Sequence, residues 1–555
     1  MVQYAQLSSH FHPASAWDMT WALTKTMSYP YFLNVLMVTG IPYRLAVSLL
    51  WVMGALLTVM ALHGLWDRSA GKTRQLPSLF WAVSYAFLIF SPVAFDEMTG
   101  TRIYRESILP PVVLMLVGLM GLWVIAAVDC YHSRSGAMKR QFVWSLALGI
   151  VWVYFWFVKE SSVWLMPTFL GVMLVILGID VAGVVRLVCG HVDRFLIMRR
   201  GIGLVVALSL PLMLFAGGDY AYRSLNRRYF GVPYATVRTE GAIAGFFERL
   251  YRIQDDNKDA QHWVPWTTVE KAVQASPTLQ AHPKLVNQLR TGSFARGNWG
   301  DGPSSDMPVW AAMWDLMDIG MFDDQMEPQR LFEQINAELD EANLPQMEGF
   351  SPTALLPRKT LGEIWDLRSA WLKTMRTSVL WDSYTVGTDV ACDSNDDEAL
   401  QRCRLIERTL NESFARTGEN TMADKRDRLG MRIASIIIKS AKYVGPVVFG
   451  IGAIGVMAAF ITLLSRKHRW AADTWRWSVW SLLVVVLLAA GASALTLAVS
   501  WQYSWRDIVI FKYYTSQIVP LVQITEILGA ATLLSLVLSV WNKRGLNSDE
   551  AIHAA

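Results

Sequence analysis

Two short charged stretches interrupt an otherwise apolar sequence. The first, DEMTGTRIYRES, follows Phe95 and carries Asp96, Glu97, Arg102, Arg105 and Glu106 between two long apolar runs. A guanidinium offers paired donors to phosphate oxygens, so Arg102 and Arg105 are candidates to clamp a phosphate. A neighbouring carboxylate can take a proton from an acceptor hydroxyl as general base. Asp96 or Glu97 is the candidate, Asp96 first. The plainer reading is a solvated hairpin whose arginines reach toward lipid headgroups. The second stretch, FVKESSVWLMP, holds Lys159 and Glu160 in a turn of a few residues. Either they form a local ion pair worth at most about 1 kcal/mol when exposed, or Lys159 stands beside the same phosphate.

Two further acids, Asp180 and Glu526, lie inside apolar runs. Ionisable groups there are costly and face a protein interior or a polar cavity. They are read as buried hydrogen-bonded or protonated acids, or as midplane sites of a transporter. The stretch WQYSWRDIVIFKYY over 501–514 is aromatic and basic. That composition suits a membrane interface, with a groove for a lipid tail as the alternative. His10 and His12 lack a third and fourth ligand nearby, so no metal site is expected. No phosphate-cradling glycine loop, nucleophile elbow or HExxH motif occurs, which argues against an ATP-driven pump.

The elements that must position these residues follow from composition and periodicity. Of 555 residues, 53% are hydrophobic and 17% charged, with 25 tryptophans. This excludes a disordered chain and points to membrane interfaces. A formal net charge of +4 is too small and too dispersed for a nucleic-acid binder. Four cysteines make neither a disulfide scaffold nor a zinc pattern. Nine apolar segments approach the roughly 20 residues needed to cross a bilayer: 43–66, 76–95, 108–129, 142–158, 163–188, 201–218, 443–464, 477–499 and 517–541. Helices are the form such segments take in lipid. The fold class expected is an all-α polytopic membrane protein of about nine transmembrane helices.

Lys and Arg alternate between rich and poor loops along the nine segments, so the rich loops are expected on the cytoplasmic side. Residues 1–42 then form an extracytoplasmic N-terminal segment with no evident signal peptide, 43–218 a six-helix bundle, 219–442 an extracytoplasmic domain between helices 6 and 7, 443–541 a three-helix bundle and 542–555 a cytoplasmic tail. Stretches such as EGAIAGFFERLYRI repeat apolar residues at three and four, so the inserted domain is expected to be mostly helical. Cys392 and Cys403 both lie in it, and an oxidising compartment would let them pair.

Several motifs resemble a family of largely uncharacterised bacterial polytopic membrane proteins. SAWDMTWALTKTMSYPYFLNVLMVTGIPYRL matches at Trp17, Lys25, Tyr29, Pro30, Gly40, Ile41 and Pro42; RIYRESILP matches at Arg102, Arg105, Glu106 and Pro110; FVKESSVWLMP matches at Lys159, Glu160, Trp164 and Pro167. The outward stretches MPVWAAMWDLMDIGMFDD and FEQINAELDEANLP are also similar, and the resemblance covers most of 15–360. The layout of that family is similar to the GT-C class of integral membrane glycosyltransferases.

The resemblance implies transfer of a sugar from a polyprenyl-phosphate donor to an extracytoplasmic glycan, lipid or protein. Arg102, Arg105 and Lys159 would hold the donor phosphate, Glu106 and Glu160 would orient them, and a divalent metal is a possible cofactor. The expected location is the bacterial inner membrane, with the large domain facing the periplasm or exterior. Such proteins are also expected to carry an earlier helix and an acidic pair before the tryptophan segment. Here Met1 falls where that pair should end. The alternatives are a non-catalytic scaffold in envelope polysaccharide assembly and a flippase for lipid-linked sugars.

Overall fold

The structure, a computed structural model, describes residues 23–69, 76–190, 194–292, 305, 307–321, 325–387, 391–392, 396–416, 422–464, 472–506 and 508–553. His10, His12 and Trp17 lie outside the described residues. The chain is built almost entirely of helices. In order they are α1 Ser28–Thr39, α2 Tyr43–Ser69, α3 Ser78–Ile89, α4 Leu109–Tyr131, α5 Ala137–Trp156, α6 Met166–Cys189 and α7 Arg194–Phe230. Then follow α8 Gly241–Arg252, α9 Trp266–Ala275, α10 Pro277–Ala281, α11 Pro283–Thr291, α12 Met307–Asp318, α13 Met326–Glu341 and α14 Leu361–Leu380. The last are α15 Asp397–Leu410, α16 Met422–Leu464, α17 Ala472–Tyr503, α18 Ile508–Thr515 and α19 Val519–His553. Among the described residues the only sheet is a parallel pair, β1 Ala391–Cys392 and β2 Ala415–Arg416.

Among the described residues, seven helical segments are long and apolar enough to cross a membrane: Tyr43–Ser69, Arg105–Tyr131, Glu160–Cys189, Arg200–Phe230, Lys425–Leu464, Thr474–Tyr503 and Ile510–Leu538. That architecture fits an all-α polytopic membrane protein. The other two expected segments are helical as well. One is the 12-residue α3, followed by a 3-10 turn at Pro92–Ala94. The other is α5, whose first turn carries Lys139 and Arg140. Between Glu106 and Asp129, α4 and its leading turn hold no charge, and at 1.5 Å per residue that stretch is about 34 Å long. It matches a hydrocarbon core of about 30 Å, with an ionic cluster at each end.

Three of these helices start the same way. Short 3-10 turns at Arg105–Ser107, Glu160–Leu165 and Ser516–Ile518 lead into α4, α6 and α19. Pro110, Pro167 and Pro520 stand in the first helical turns. Proline suits that place because its fixed φ matches the helix and its missing N–H would be unpaired there anyway. The charged turns are thereby held at one end of the bundle.

Two hydrophobic cores form among the described residues. The larger unites the long helices. The smaller gathers residues 230–367, including Phe246, Trp263, Met313 and Phe332, and draws in Leu23, Met27 and Trp501 from outside that stretch. The region expected as one inserted domain is therefore divided. Ala370, Trp381, Tyr384, Leu410 and Ile438 bury into the core of the long helices instead. The segment before α2 also differs from a loose tail: Tyr29, Leu33 and Leu36 pack into the larger core while Leu23 and Met27 enter the smaller. Helix α7 runs on to Phe230 and α16 begins at Met422, so both cross the expected boundaries at 218 and 442 without a break.

Cys392 and Cys403 form a disulfide. The bridge fastens β1 to α15, whose N-terminus is capped by Asp396 accepting from the Glu398 and Ala399 amides. Cys130 is buried and Cys189 exposed, and neither is in a disulfide. Alkylation of the folded protein should label Cys189 first, and reduction should add Cys392 and Cys403. The C392S/C403S variant is expected to lose about 2–3 kcal/mol of local stability by the loop-closure account, read as earlier hydrogen exchange across 391–416. Unchanged exchange there would refute this.

Candidate functional site

The turn before α4 is shaped by its own side chains. Arg105 and Glu106 are 3% and 0% exposed, and such charges stay buried only when paired. Lys159 Nζ donates to Glu106 Oε1 at 2.6 Å, with Lys159 itself buried. Arg105 Nη1 donates to Glu160 Oε2 at 2.9 Å. The two charged turns, 53 and 55 residues apart in sequence, are thus crossed into two ion pairs. The local Lys159–Glu160 pair considered from spacing is replaced by these reciprocal ones. The reason is geometric: Glu160 opens a 3-10 turn while Lys159 is extended before it, with φ −151° and ψ 143°.

Residues that sequence reasoning did not place join them. Arg238, just before α8, brings Nη1 to 3.9 Å from Glu160 Oε1. Lys25 Nζ donates to the Tyr104 hydroxyl at 3.1 Å and lies 4.3 Å from the centre of the Trp310 ring. Arg238 Cζ lies 5.4 Å from that same ring, and Arg105 Cζ 5.3 Å from the Tyr104 ring. Arg102 is exposed, with Cζ 5.2 Å from the Tyr104 ring and 5.5 Å from the Tyr513 ring. Lys159 Nζ lies 4.5 Å from Tyr514 and 5.5 Å from Tyr513. Five cationic side chains, from Lys25, Arg102, Arg105, Lys159 and Arg238, therefore gather around two carboxylates, Glu106 and Glu160. Arg105 Nε is buried with no hydrogen-bond partner. Such a surplus of donors suits a multiply charged anion.

Asp96 is in a different state from the one expected of a base. It is fully buried, and Lys512 Nζ sits 2.8 Å from its Oδ1. The Thr385 amide also donates to Oδ1, and the Met98 amide and Thr99 hydroxyl donate to Oδ2. Both oxygens are engaged. Glu97 is half-buried and accepts the Thr385 hydroxyl at 2.7 Å. The 96–101 loop is thus clamped to 383–385 and to α18, and Lys512 is chain neighbour to Tyr513 of the cationic cluster.

The acids inside the spans lie elsewhere. Asp180 is buried and accepts Gln141 Nε2 at 2.8 Å, and that amide's oxygen accepts the Cys130 thiol. Twenty residues of helix and turn separate Asp180 from Glu160, about 30 Å, so the two do not share a site. Near that far end Asp129 is held by Arg68 through two bonds of 2.7 and 2.6 Å, by Arg134 at 2.8 Å and by Arg140 at 3.0 Å. Glu526 is 2% exposed, packs against Gly452 of α16, and has no hydrogen-bond partner on either oxygen. Among the described residues no group of three or more His, Cys, Asp and Glu is placed to hold a metal.

Further along the bundle from the cationic cluster an apolar cleft opens between α2, α4, α6, α17 and α19. Leu62, Val117, Val172, Trp480 and Leu487 are among its walls. Val117, Thr168 and Ile524, its nearest lining residues on α4, α6 and α19, lie eight to eleven residues beyond Glu106, Glu160 and Tyr514. The gap is about 15 Å along each helix.

Lys512 and Arg238 had no sequence signal: the first sits in an aromatic run that reads as an interface belt, the second in an unremarkable loop. No protein-family model, curated protein or solved structure matches the chain.

Proposed function

We propose that this end of the bundle binds the phosphate head of a membrane lipid, and that the chain transfers a sugar from a polyprenyl-phosphate donor in the manner of GT-C glycosyltransferases. The observation that carries the reading is the surplus of buried and half-buried cations set about 15 Å along the helices from an apolar cleft. The head would meet Arg105, Arg238, Arg102 and Lys159, and the tail would follow α4 and α6 into the cleft. In the reaction the bond from the sugar's anomeric carbon to the phosphate oxygen breaks and its electron pair stays on the phosphate. The guanidiniums stabilise that growing charge. An acceptor hydroxyl forms the new bond and gives up its proton. Of the two acids first considered as base, Glu97 is the better placed, because the Asp96 oxygens are already filled. Nine spans, with the α6 start and residues 231–367 on the extracytoplasmic side of a bacterial inner membrane, follow from the Lys and Arg bias.

The test uses the full chain in lipid nanodiscs. Farnesyl phosphate should bind at least tenfold more tightly than farnesol, which has the same tail and no phosphate. Arg238→Gln and Arg102→Gln should each weaken it by about 10- to 100-fold, the range for a lost charge-assisted hydrogen bond. Equal binding of the alcohol would end the reading. Transfer from a polyprenyl-phosphate sugar that Glu97→Gln abolishes, with binding kept, would establish the chemistry.

The filled carboxylate of Asp96 favours a second reading, a non-catalytic partner that holds a lipid-linked sugar for another enzyme. Tight binding with no turnover would select it.

A further inference from the structure

The lysines around the cationic cluster differ in one respect. Lys159 and Lys512 each lie on a carboxylate, at 2.6 and 2.8 Å. Lys25 has none within ion-pair distance among the described residues. Its Nζ is held by the neutral Tyr104 hydroxyl and the Trp310 face. Both rings are shared with guanidiniums, Tyr104 with Arg105 and Trp310 with Arg238. An ammonium is thus placed among cations, half-buried, while Glu160 and Glu106 each direct one oxygen to another cation, Arg105 and Lys159. The charged groups facing it are Arg105 and Glu106 from the turn before α4, Glu160 from the turn before α6 and Arg238 from the turn before α8.

Resting on the anion-site reading above, we propose that Lys25 is its proton-exchanging group: an uncharged amine in the empty site, it takes one proton from solvent as a phosphate-bearing ligand enters. The ligand's negative charge supplies the counter-ion that the empty site lacks. Burial, with Arg105 and then Arg238 adding repulsion, pulls the Lys25 ammonium down to about 7. The sign follows. Above that value the empty site must gain a proton before Lys25 can pair with phosphate, so affinity falls as pH rises. Below it the ammonium is already present and Lys25 adds no further pH dependence. Arginines keep their charge across this window, and a phosphate monoester, with a second pKa near 6, is already a dianion by pH 8. The device relieves the repulsion among the site's own cations when no anion is bound, and lets departure of the phosphate be linked to release of a proton.

Two measurements on the full chain in nanodiscs test this. The first is competitive acetylation of amines with mass-spectrometric readout across pH, without ligand. Lys25 should reach half-maximal reactivity near pH 7, whereas ordinary lysines do so near 10.4. The second is calorimetry of farnesyl phosphate binding in buffers of different ionisation enthalpy. At pH 8 close to one proton should be taken up, and affinity should fall about 50-fold from pH 7 to pH 9. Lys25→Arg, always charged, should bind with no proton uptake and with affinity level to within a few-fold. If farnesyl phosphate binds without proton uptake, or Lys25 reacts like an ordinary lysine, the coupling is overturned while the anion site stands. If Lys25 reacts near pH 7 and farnesyl phosphate does not bind at any pH, the anion-site reading fails and takes the coupling with it.

Discussion

Lys512→Met is expected to destabilise the protein by about 3–5 kcal/mol, the cost of leaving a buried carboxylate without its counter-ion. Asp96 is fully buried and Lys512 is 1% exposed, so water cannot take over when the ammonium is lost. The remaining donors to Asp96, from Thr385, Met98 and Thr99, carry no full charge. Asp96→Asn in the same background removes the stranded charge. The double variant should recover 2 kcal/mol or more relative to Lys512→Met alone, because a pair replaced together is far less harmful than a pair broken. Equilibrium unfolding in mixed micelles gives both numbers. A double variant no better than the single would mean that the two groups are not coupled. This outcome also bears on catalysis, since a carboxylate needed for this fastening is a poor candidate to accept a substrate proton.

The second large effect concerns the crossing of α16 and α19. Gly455 and Gly529 meet backbone to backbone, and a Cβ on either would overlap the main chain of the partner helix. One turn away, Gly452 faces Glu526, where an added Cβ would stand 2.8 Å from Cα. Close approach through small residues is how helices associate in lipid, where no hydrophobic force draws them together. Gly455→Val should therefore cost about 3 kcal/mol or more, since main-chain atoms cannot yield as a side chain does. Gly450→Ala on the same helix is the control: a Cβ there meets nothing within 4 Å, and alanine favours helix by up to about 1 kcal/mol. Stability of the two variants should move in opposite directions. Equal behaviour would show that the crossing is not this tight.

Much of the helical frame was legible because long apolar runs have one solution in lipid. The charged turns were legible too, as Arg105, Glu106, Lys159 and Glu160 interrupt those runs and Pro110 and Pro167 mark where the helices resume. Their pairing was not. Spacing favours the neighbour Lys159–Glu160, whereas the fold pairs each residue with the other turn, which only three-dimensional approach can reveal. Asp96 looked like a base because its sequence neighbours are polar; its partner lies 416 residues away. The division of 219–442 was hidden for a related reason. Residues 370–441 carry helical patterns like those before them, and nothing in a periodicity tells which apolar surface will cover them. Arg238 and Lys25 reach the cluster by the same kind of long-range packing.

The tie between Asp96 and Lys512 has a bearing on biogenesis. Ribosomes deliver the early helices long before the last ones, so a nascent chain ending anywhere before residue 512 carries Asp96 without its counter-ion. The same chain lacks Tyr513 and Tyr514 beside Lys159, and α19 against α16. The first loop can therefore lock only after residue 512 has been delivered, and until then its charges stay wet at the membrane surface. C-terminal truncation should leave a protein that inserts but remains open to proteolysis at 96–102, so that cellular quality control can tell an unfinished copy from a finished one by a single loop.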